Sequence, residues 1–376
     1  MTLALSIYLD LIRLFAASMV VFQHANARSF TGSMLWRLSW HGTESVILFF
    51  VLSGFVIGYV VSEKERDWQS YLLARTSRIY SVAFLAVPVT LIADAIGSTI
   101  NPDFYAHLTF YRGSSSVIDV LACLTFVNEL WFNHYVFGTN EPYWSLGFEV
   151  WYYLIFGVAF FYKARGRTLF IIALLLLAGP KLSLYFSLWL LGYWTFRIVN
   201  RMKKSGHPTI PLPLAILCFA GCPILFWIVA PYLHLPKIEF FGNKMQLDAK
   251  TIFSFLYFLV LGWSLCLNII GFTALSSMVP NKLLRLVGPS VRWAAGASFS
   301  LYLLHQPVMV CLAALSPFPN PSISRTLFVL GGIVVIVFLL AELGERRKRV
   351  MQTLLLGAWR FMAGRRTLGL SEADRA

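Results

Sequence analysis

Three ionisable side chains lie within the first apolar segment of the chain, at Asp10, Arg13 and His24. At 100° per residue of an α-helix, their positions fall within about 60° of one another on one helix face. Arg13 and His24 are then about 16 Å apart along the helix axis. Ionisable groups are costly inside a bilayer and usually line a site or a water-filled cavity. The segment therefore predicts a functional site inside the membrane, with a satisfied polar pair and an interfacial histidine as the alternative.

Two arginines follow the second apolar segment. Arg75 and Arg78 are three residues apart and share one helix face. The guanidinium fork matches phosphate oxygens in a bidentate way, so such a pair suits a phosphorylated molecule that arrives from the cytosol. The alternative is that both arginines only orient the chain in the membrane. The residues alone leave the two interpretations open.

A buried carboxyl group is predicted in the fourth apolar segment, where Trp144, Ser145 and Glu149 lie close together. Ser145 and Glu149 are one helical turn apart. A carboxyl group inside the membrane needs a partner, and a histidine or arginine of the first segment would provide it. We therefore expect Glu149 to contact His24 or Arg13, with a structural ion pair as the alternative.

Two further apolar segments carry polar residues. Tyr302 and His305 lie on one face of the ninth segment, and we expect His305 to support the site or its packing. The second segment has Glu44 at its start, followed by Ser53 and Gly54, a small surface that lets a helix or a ligand approach closely. Close helix packing is the favoured interpretation of this glycine.

The composition indicates that these residues belong to a polytopic membrane protein. Of the 376 residues, 58% are hydrophobic and 13% are charged, which is more apolar surface than a soluble domain can bury. The net charge of +14 does not indicate nucleic-acid binding, because the lysines and arginines form short clusters between apolar segments, as membrane orientation requires. The five cysteines have no CxxC spacing and no histidine at ligand spacing, so we expect no metal site.

The chain is predicted to be all-α, with ten transmembrane helices and both termini in the cytoplasm. The ten apolar segments fall at about 5–24, 43–62, 79–98, 143–162, 168–179, 182–199, 210–232, 251–270, 296–316 and 325–343. An eleventh candidate, 117–134, is assigned as interfacial or re-entrant on the outer side. Counting it as a crossing would place most of the later lysines and arginines outside the cell. The membrane domain is predicted to cover 1–343, and 344–376 a basic cytoplasmic tail with an interfacial helix against anionic lipid.

The order of these motifs resembles the integral-membrane acyltransferase family 3, whose members O-acylate exported polysaccharides and related glycans. The resemblance covers about residues 6–343 and rests on five motifs: Arg13 with His24, Phe49 to Phe55, Arg75 with Arg78, Trp144 to Glu149, and Ser300 to Pro307. It implies transfer of an acetyl or other acyl group from cytoplasmic acyl-CoA to a hydroxyl reached from the other face of the membrane. It also implies that His24 is essential and that the arginines contact the CoA.

The chemistry of the residues adds roles to this resemblance. We expect His24 to act as general base on the acceptor hydroxyl, since an imidazole titrates near neutral pH. Glu149, or less readily Glu44, would orient its ring. The candidate substrate contacts besides the arginines are Asp10, Glu44, Ser53, Trp144, Ser145, Tyr302 and His305.

The expected acceptor is a glycan or a lipid-linked sugar, which places the protein in the cytoplasmic (inner) membrane of a bacterium. The rival hypothesis is a transporter or flippase, for which ten spans and buried charges are equally natural. The absence of an evident internal repeat counts against that rival. The sequence leaves open the acceptor, the acyl chain and the oligomeric state.

Overall fold

The computed structural model describes residues 1–65, 67–111, 113, 115–204, 210–229 and 249–362. Helices make up 82% of the structure, and no β-strand occurs in the described ranges. A helix satisfies all its backbone hydrogen bonds internally, which is why long apolar sequences adopt it in lipid. The predicted all-α class is therefore confirmed.

The α-helices in the described part of the chain are numbered in chain order. They are α1 (Leu3–Ala25), α2 (Arg28–Thr31), α3 (Gly42–Glu63), α4 (Trp68–Ile100), α5 (Pro102–Ala106), α6 (Val117–Leu124), α7 (Trp144–Phe161), α8 (Arg167–Ala178), α9 (Pro180–Lys204), α10 (Leu212–Ile224), α11 (Ala249–Leu275), α12 (Asn281–Ala295), α13 (Ser298–Leu315), α14 (Ile323–Leu343) and α15 (Lys348–Met362).

Eight helices within the described ranges are long and apolar enough to cross a membrane. They correspond to α1, α3, α4, α7, α9, α11, α13 and α14. Two shorter apolar helices, α8 and the helix Leu212–Ile228 that begins with α10, coincide with the other two predicted segments. The 12 residues of α8 span only about 18 Å, against a hydrocarbon thickness of about 30 Å. The structure thus supports an integral membrane protein with eight candidate spans, and the count of ten remains a prediction.

The helix that carries Arg75 and Arg78 is longer than predicted. α4 has 33 residues and begins at Trp68, about three turns before the apolar segment predicted to start near residue 79. The Asp67 side chain caps it by accepting a hydrogen bond from the Ser70 backbone N–H at 2.8 Å. Both arginines therefore sit on a capped, continuous helix, which fixes their direction relative to the bundle.

Two shorter helices lie in regions that were predicted as loops or as interfacial. α12 occupies a stretch predicted as a cytoplasmic loop, because its apolar and basic residues alternate around the helix and no window of it is uniformly apolar. The candidate segment 117–134 contains α6, whose eight residues are too short to cross a bilayer. Its position on the outer side remains a prediction.

The centre of the bundle is formed where α3 meets α9 and where α13 meets α1, α4 and α14. A Cβ atom at Gly54 would overlap the backbone carbonyl of Trp189, and one at Gly58 would press on the Phe196 ring. The prediction that Gly54 serves close helix packing is confirmed, and Gly58 on the same helix has the same role. α13 is the most enclosed span, with 83% of its apolar window buried. These central helices carry most of the polar residues of the site.

Part of the predicted tail is helical. α15 lies within it and packs against α4. Residues 363–376 lie outside the described residues. The placement of α15 at a lipid surface and the division of the chain at residue 343 remain predictions.

Candidate active site

A cavity lies between α1, α3, α4, α7 and α13. It comprises about 740 Å³ of space, including the part open to solvent. Its walls are mostly apolar, with Phe49, Phe50 and Val56 among them. The polar residues predicted from the sequence that line it are Arg13, Ser53, Arg75, Arg78, Ser145, Glu149 and Tyr302. We call it the arginine cavity, because it brings three guanidinium groups from two helices to one space.

The three arginines differ in how they are paired. Arg75 is buried and donates a hydrogen bond to Glu65 at 2.5 Å. Arg13 forms a looser ion pair with Asp10 on its own helix, at 3.5 Å. Arg78 makes no hydrogen bond or close ion pair with any side chain in the described ranges, although it lines the cavity. Arg78 is thus the guanidinium most available to an anionic ligand.

Acidic groups surround Arg78 without binding it directly. It experiences the charges of Glu149, Glu345 and Asp10. Arg13 is also near enough to Arg78 for the two positive charges to repel. Like charges held together in a low-dielectric space attract a shared counter-ion strongly. Arg13 and Arg78 are therefore close enough to bind one anionic ligand together.

Glu149 is fixed in the wall of the cavity by two hydroxyl groups. Ser53 Oγ donates to Glu149 Oε1 at 3.0 Å, and the Tyr153 hydroxyl donates to the same oxygen. The Trp189 indole N–H in turn donates to Ser53 Oγ at 3.1 Å. This last contact depends on the close approach of α3 and α9 at Gly54. The carboxylate is consequently held on one oxygen, and its charge interacts with that of Arg78.

Two further polar residues of the lining, Ser145 and Tyr302, bind each other. Ser145 Oγ donates to the Tyr302 hydroxyl at 2.8 Å and links α7 to α13. Phe49 packs edge-on against the Tyr302 ring, with ring centroids 5.3 Å apart. Ser53 and Ser145 are both committed to hydrogen bonds with neighbours. Within the described part of the chain, neither serine forms a hydrogen bond with a histidine that could activate it as a nucleophile.

His24, near the opposite end of α1 from Asp10, contacts His305 of α13. His24 Nδ1 and His305 Nε2 are 2.8 Å apart, and the two rings are nearly parallel at 9°. His305 is completely buried, whereas His24 keeps some accessible surface. His305 Nδ1 lies 2.8 Å from the Tyr302 carbonyl oxygen and 3.0 Å from that of Leu301. We call His24 and His305 the histidine pair.

The structure corrects the predicted partner of His24. The ring is held by His305, while Glu149 is bound to hydroxyl groups in the arginine cavity. The lining of that cavity, over the described residues, does not include His24. Tyr302 connects the two regions, because its ring lines the cavity and its carbonyl lies against His305. Spacing along α1 places Arg13 and His24 on one face, but it does not determine which neighbouring helix each one meets.

Three other predicted residues lie outside the cavity lining. Asp10 pairs with Arg13. Glu44 is in the first turn of α3, where its buried Oε2 has no hydrogen-bond partner among the described residues. Trp144 is buried against Phe148, with ring centroids 5.2 Å apart.

Several residues of the site were not predicted. Glu65 lies in the short connection between α3 and α4, and Glu345 follows α14 and accepts hydrogen bonds from the Ser300 backbone N–H and hydroxyl at 2.9 and 3.1 Å. Tyr153 and Trp189 support Glu149 and Ser53. Glu65 and Glu345 carried a signal in the sequence, since each acid lies close to the end of an apolar segment and beside basic residues.

No group of three or more histidine, cysteine, aspartate or glutamate side chains within the described ranges is arranged to hold a metal ion. The site is instead built from arginine, histidine, hydroxyl and carboxylate groups. Such a set can bind an anion and move a proton without a metal.

Comparison with known proteins identifies the family. A family model described as an acyltransferase domain, of the acyltransferase 3 type, matches residues 6–342. No curated protein and no solved structure gives a significant match. The matched region contains every helix that lines the arginine cavity and both members of the histidine pair. The chain therefore belongs to the integral-membrane acyltransferase family 3.

Proposed function

We propose that the protein is an acyl-CoA-dependent O-acyltransferase that modifies a hydroxyl of an exported or cell-surface glycan, free or lipid-linked. One observation carries the proposal: in a chain of an acyltransferase family, three arginines converge on a cavity between apolar helices. A transporter would not require an acyl-transfer domain over nearly its whole length. The family assignment therefore favours the enzyme over the transporter.

The arginine cavity suits the phosphates of acyl-CoA. Arg78 offers guanidinium N–H groups that no described neighbour binds, and Arg13 adds a second positive charge. Arg75 contributes less, because Glu65 already binds it. Charge-assisted hydrogen bonds from arginine to phosphate are among the stronger polar contacts in proteins. In this arrangement Arg78 is the main phosphate ligand and Glu149 keeps the empty cavity close to neutral.

The distance between the two regions matches the donor. Arg13 and His24 are about 16 Å apart along α1, which is of the order of an extended pantetheine arm. With its phosphates at the arginines, the donor would extend past Tyr302 and place its thioester near the histidine pair. The apolar walls of the cavity would exclude water from the thioester.

The reaction is a direct transfer. His24 removes the proton of the acceptor hydroxyl, and the oxygen attacks the thioester carbonyl to form the ester bond. The carbon–sulfur bond breaks, and the CoA thiolate leaves with the proton returned by His24. We prefer this path to a covalent intermediate because neither Ser53 nor Ser145 forms a hydrogen bond with a histidine among the described residues. Asp10, Glu44, Trp144, Ser145 and Tyr302 remain candidate contacts for donor or acceptor.

The membrane arrangement follows from the same proposal. With ten crossings and both termini in the cytoplasm, most lysines and arginines face inside, as the positive-inside rule requires. The arginine cavity would then open toward cytoplasmic acyl-CoA, and the histidine pair would lie nearer the outer face. We place the protein in the bacterial inner membrane, where exported glycans pass.

The test uses the full protein, expressed in glycan-producing cells and reconstituted in lipid nanodiscs. Cell-surface glycans are analysed by mass spectrometry for O-acyl groups, and the nanodiscs are assayed for CoA release from labelled acetyl-CoA. We expect His24→Ala to lower turnover by about 10²- to 10⁴-fold, the range of general acid–base catalysis.

His107→Ala is the matched control, because His107 is exposed and belongs neither to the lining of the arginine cavity nor to the histidine pair. That variant should acylate normally. Undiminished acylation by His24→Ala would refute the role of His24. Movement of a glycan across the membrane without any need for acyl-CoA would refute the enzyme and favour the transporter.

A further inference from the structure

We propose that His305 is a positioning residue that fixes the tautomer of His24, so that Nε2 of His24 is the nitrogen that accepts the proton. The tautomer itself follows from hydrogen-bond geometry alone. Its catalytic meaning rests on the proposed function.

His305 is the completely buried member of the histidine pair. The carbonyl oxygens of Leu301 and Tyr302 can only accept hydrogen bonds, and both lie within 3.0 Å of His305 Nδ1. That nitrogen must therefore carry the hydrogen. In a neutral imidazole the other nitrogen then has a free lone pair, so His305 Nε2 is an acceptor.

The protonation of His305 also determines that of His24. His24 Nδ1 lies 2.8 Å from His305 Nε2, and two lone pairs would repel at this distance. His24 Nδ1 must therefore donate its hydrogen to His305. The remaining nitrogen of His24, Nε2, is left without a proton and can act as a base.

The alternative protonation states conflict with the surroundings. A His305 ring without hydrogen on Nδ1 would direct a lone pair at two carbonyl oxygens. A doubly protonated His305 would place a positive charge at a completely buried position with no carboxylate among its hydrogen-bond partners. A neutral His305 that donates from Nδ1 and accepts at Nε2 satisfies both of its own nitrogens and Nδ1 of His24.

The arrangement gives His24 support without a carboxylate. When Nε2 takes the acceptor proton, the positive charge of His24 is shared with His305 through the hydrogen bond between them. The two carbonyl dipoles stabilise it further, because they already point at His305 Nδ1. Catalytic histidines often have a carboxylate in this position. Here the helix backbone of α13 takes that place.

The test measures the tautomer directly, by nitrogen-15 NMR of histidine-labelled protein in nanodiscs at pH 8. Signals are assigned by single histidine substitutions. We expect His24 to show a protonated Nδ1 and an unprotonated Nε2. His107 is an internal reference, because its Nδ1 also lies against a carbonyl oxygen, that of Asp103 at 2.6 Å. The opposite tautomer at His24 would overturn the proposal.

Two variants separate positioning from packing. His305→Leu fills the space but removes the acceptor, so His24 should become a mixture of tautomers and turnover should fall about 10- to 100-fold, part of the contribution of the base. His305→Gln places a carbonyl oxygen near the position of Nε2. It should restore the single tautomer and most of the turnover.

An unchanged His24 spectrum in His305→Leu would overturn the proposal. If His305→Leu does not fold, the spectrum of the wild-type protein still decides the question. If the tautomer is as expected but no variant, nor the wild type, transfers an acyl group, the proposed function fails while the tautomer assignment holds.

Discussion

The arginine cavity and the histidine pair bury polar groups in different ways. In the cavity, charged groups come from several helices, and positive and negative charges balance each other across the space. In the histidine pair, two rings from α1 and α13 are joined by one hydrogen bond, and backbone carbonyl groups complete the set. One region is built on charge and the other on directed hydrogen bonds between neutral groups.

The difference fits what each region is proposed to do. A polyanionic donor needs positive charge, and the nearby carboxylates make that charge tolerable when the cavity is empty. A proton acceptor needs a free lone pair with a fixed direction, and a buried positive charge beside it would suppress proton uptake. Changes at the arginines should therefore alter stability and donor binding. Changes at the histidines should alter turnover and the tautomer.

The largest effect on stability is expected at Arg75. Arg75→Ala leaves Glu65 buried and unpaired, and breaking such a pair costs about 3–5 kcal/mol of unfolding free energy. The measurement is denaturant unfolding in mixed micelles. The double variant Glu65→Gln with Arg75→Ala removes the stranded charge and should recover most of the loss. A double variant as unstable as Arg75→Ala alone would show that the ion pair is not the cause.

Donor affinity should depend most on Arg78. Arg78→Ala removes the guanidinium that no described neighbour binds, so the protein should remain stable while its affinity for CoA falls about 10- to 100-fold, or about 1.5–3 kcal/mol. Isothermal titration of the purified protein with CoA measures this without an acceptor. Arg78→Lys keeps the charge but loses the two-pronged guanidinium group. Its affinity for CoA should therefore lie between those of the wild type and Arg78→Ala.

The control for Arg78 is Arg197→Ala, an exposed arginine on α9 that contacts Tyr193. CoA affinity should be unaffected by that change. Equal losses in the Arg78 and Arg197 variants would indicate a general effect of surface charge. In that case CoA binding could not be assigned to the arginine cavity, and the cavity would no longer differ from the histidine pair in this role.

The content of the arginine cavity could be predicted because of one physical rule. A polar side chain within a long apolar segment is expensive unless it serves a site, and the rule selected Arg13, Glu149 and Tyr302 correctly as lining residues. The close-packing role of Gly54 followed from its small size. Composition and apolar length likewise sufficed for the helical membrane fold.

The pairings between helices could not be predicted in this way. His24 and His305 are separated by 281 residues, and nothing local fixes the rotation of α13 relative to α1. Glu65 was missed because it lies in a connection, where charged residues are common. α12 was missed because its apolar residues follow helical spacing rather than an unbroken run. Partner choice is set by helix rotation, which depends on the whole packed bundle.

The smallest effect is expected at Asp67, which lies in the connection between α3 and α4 and caps the helix that carries Arg75 and Arg78. The Ser70 backbone N–H binds the Asp67 carboxylate and lowers its pKa below the unfolded value near 3.8. The cap therefore contributes its full stabilisation above that value and loses it as pH falls through the lower pKa of the folded state. Asp67→Ala should cost about 1 kcal/mol of unfolding free energy and weaken CoA binding less than threefold, through fraying of the first turn of α4.

Asp67→Asn keeps the cap but cannot titrate, so its unfolding free energy should lose this acid dependence. As a control, Asp119→Asn in α6 should leave CoA affinity unchanged. If Asp67→Ala weakened CoA binding as much as Arg78→Ala, the arginine cavity would depend on the connection before α4, and its binding strength could not be assigned to the guanidinium that faces it.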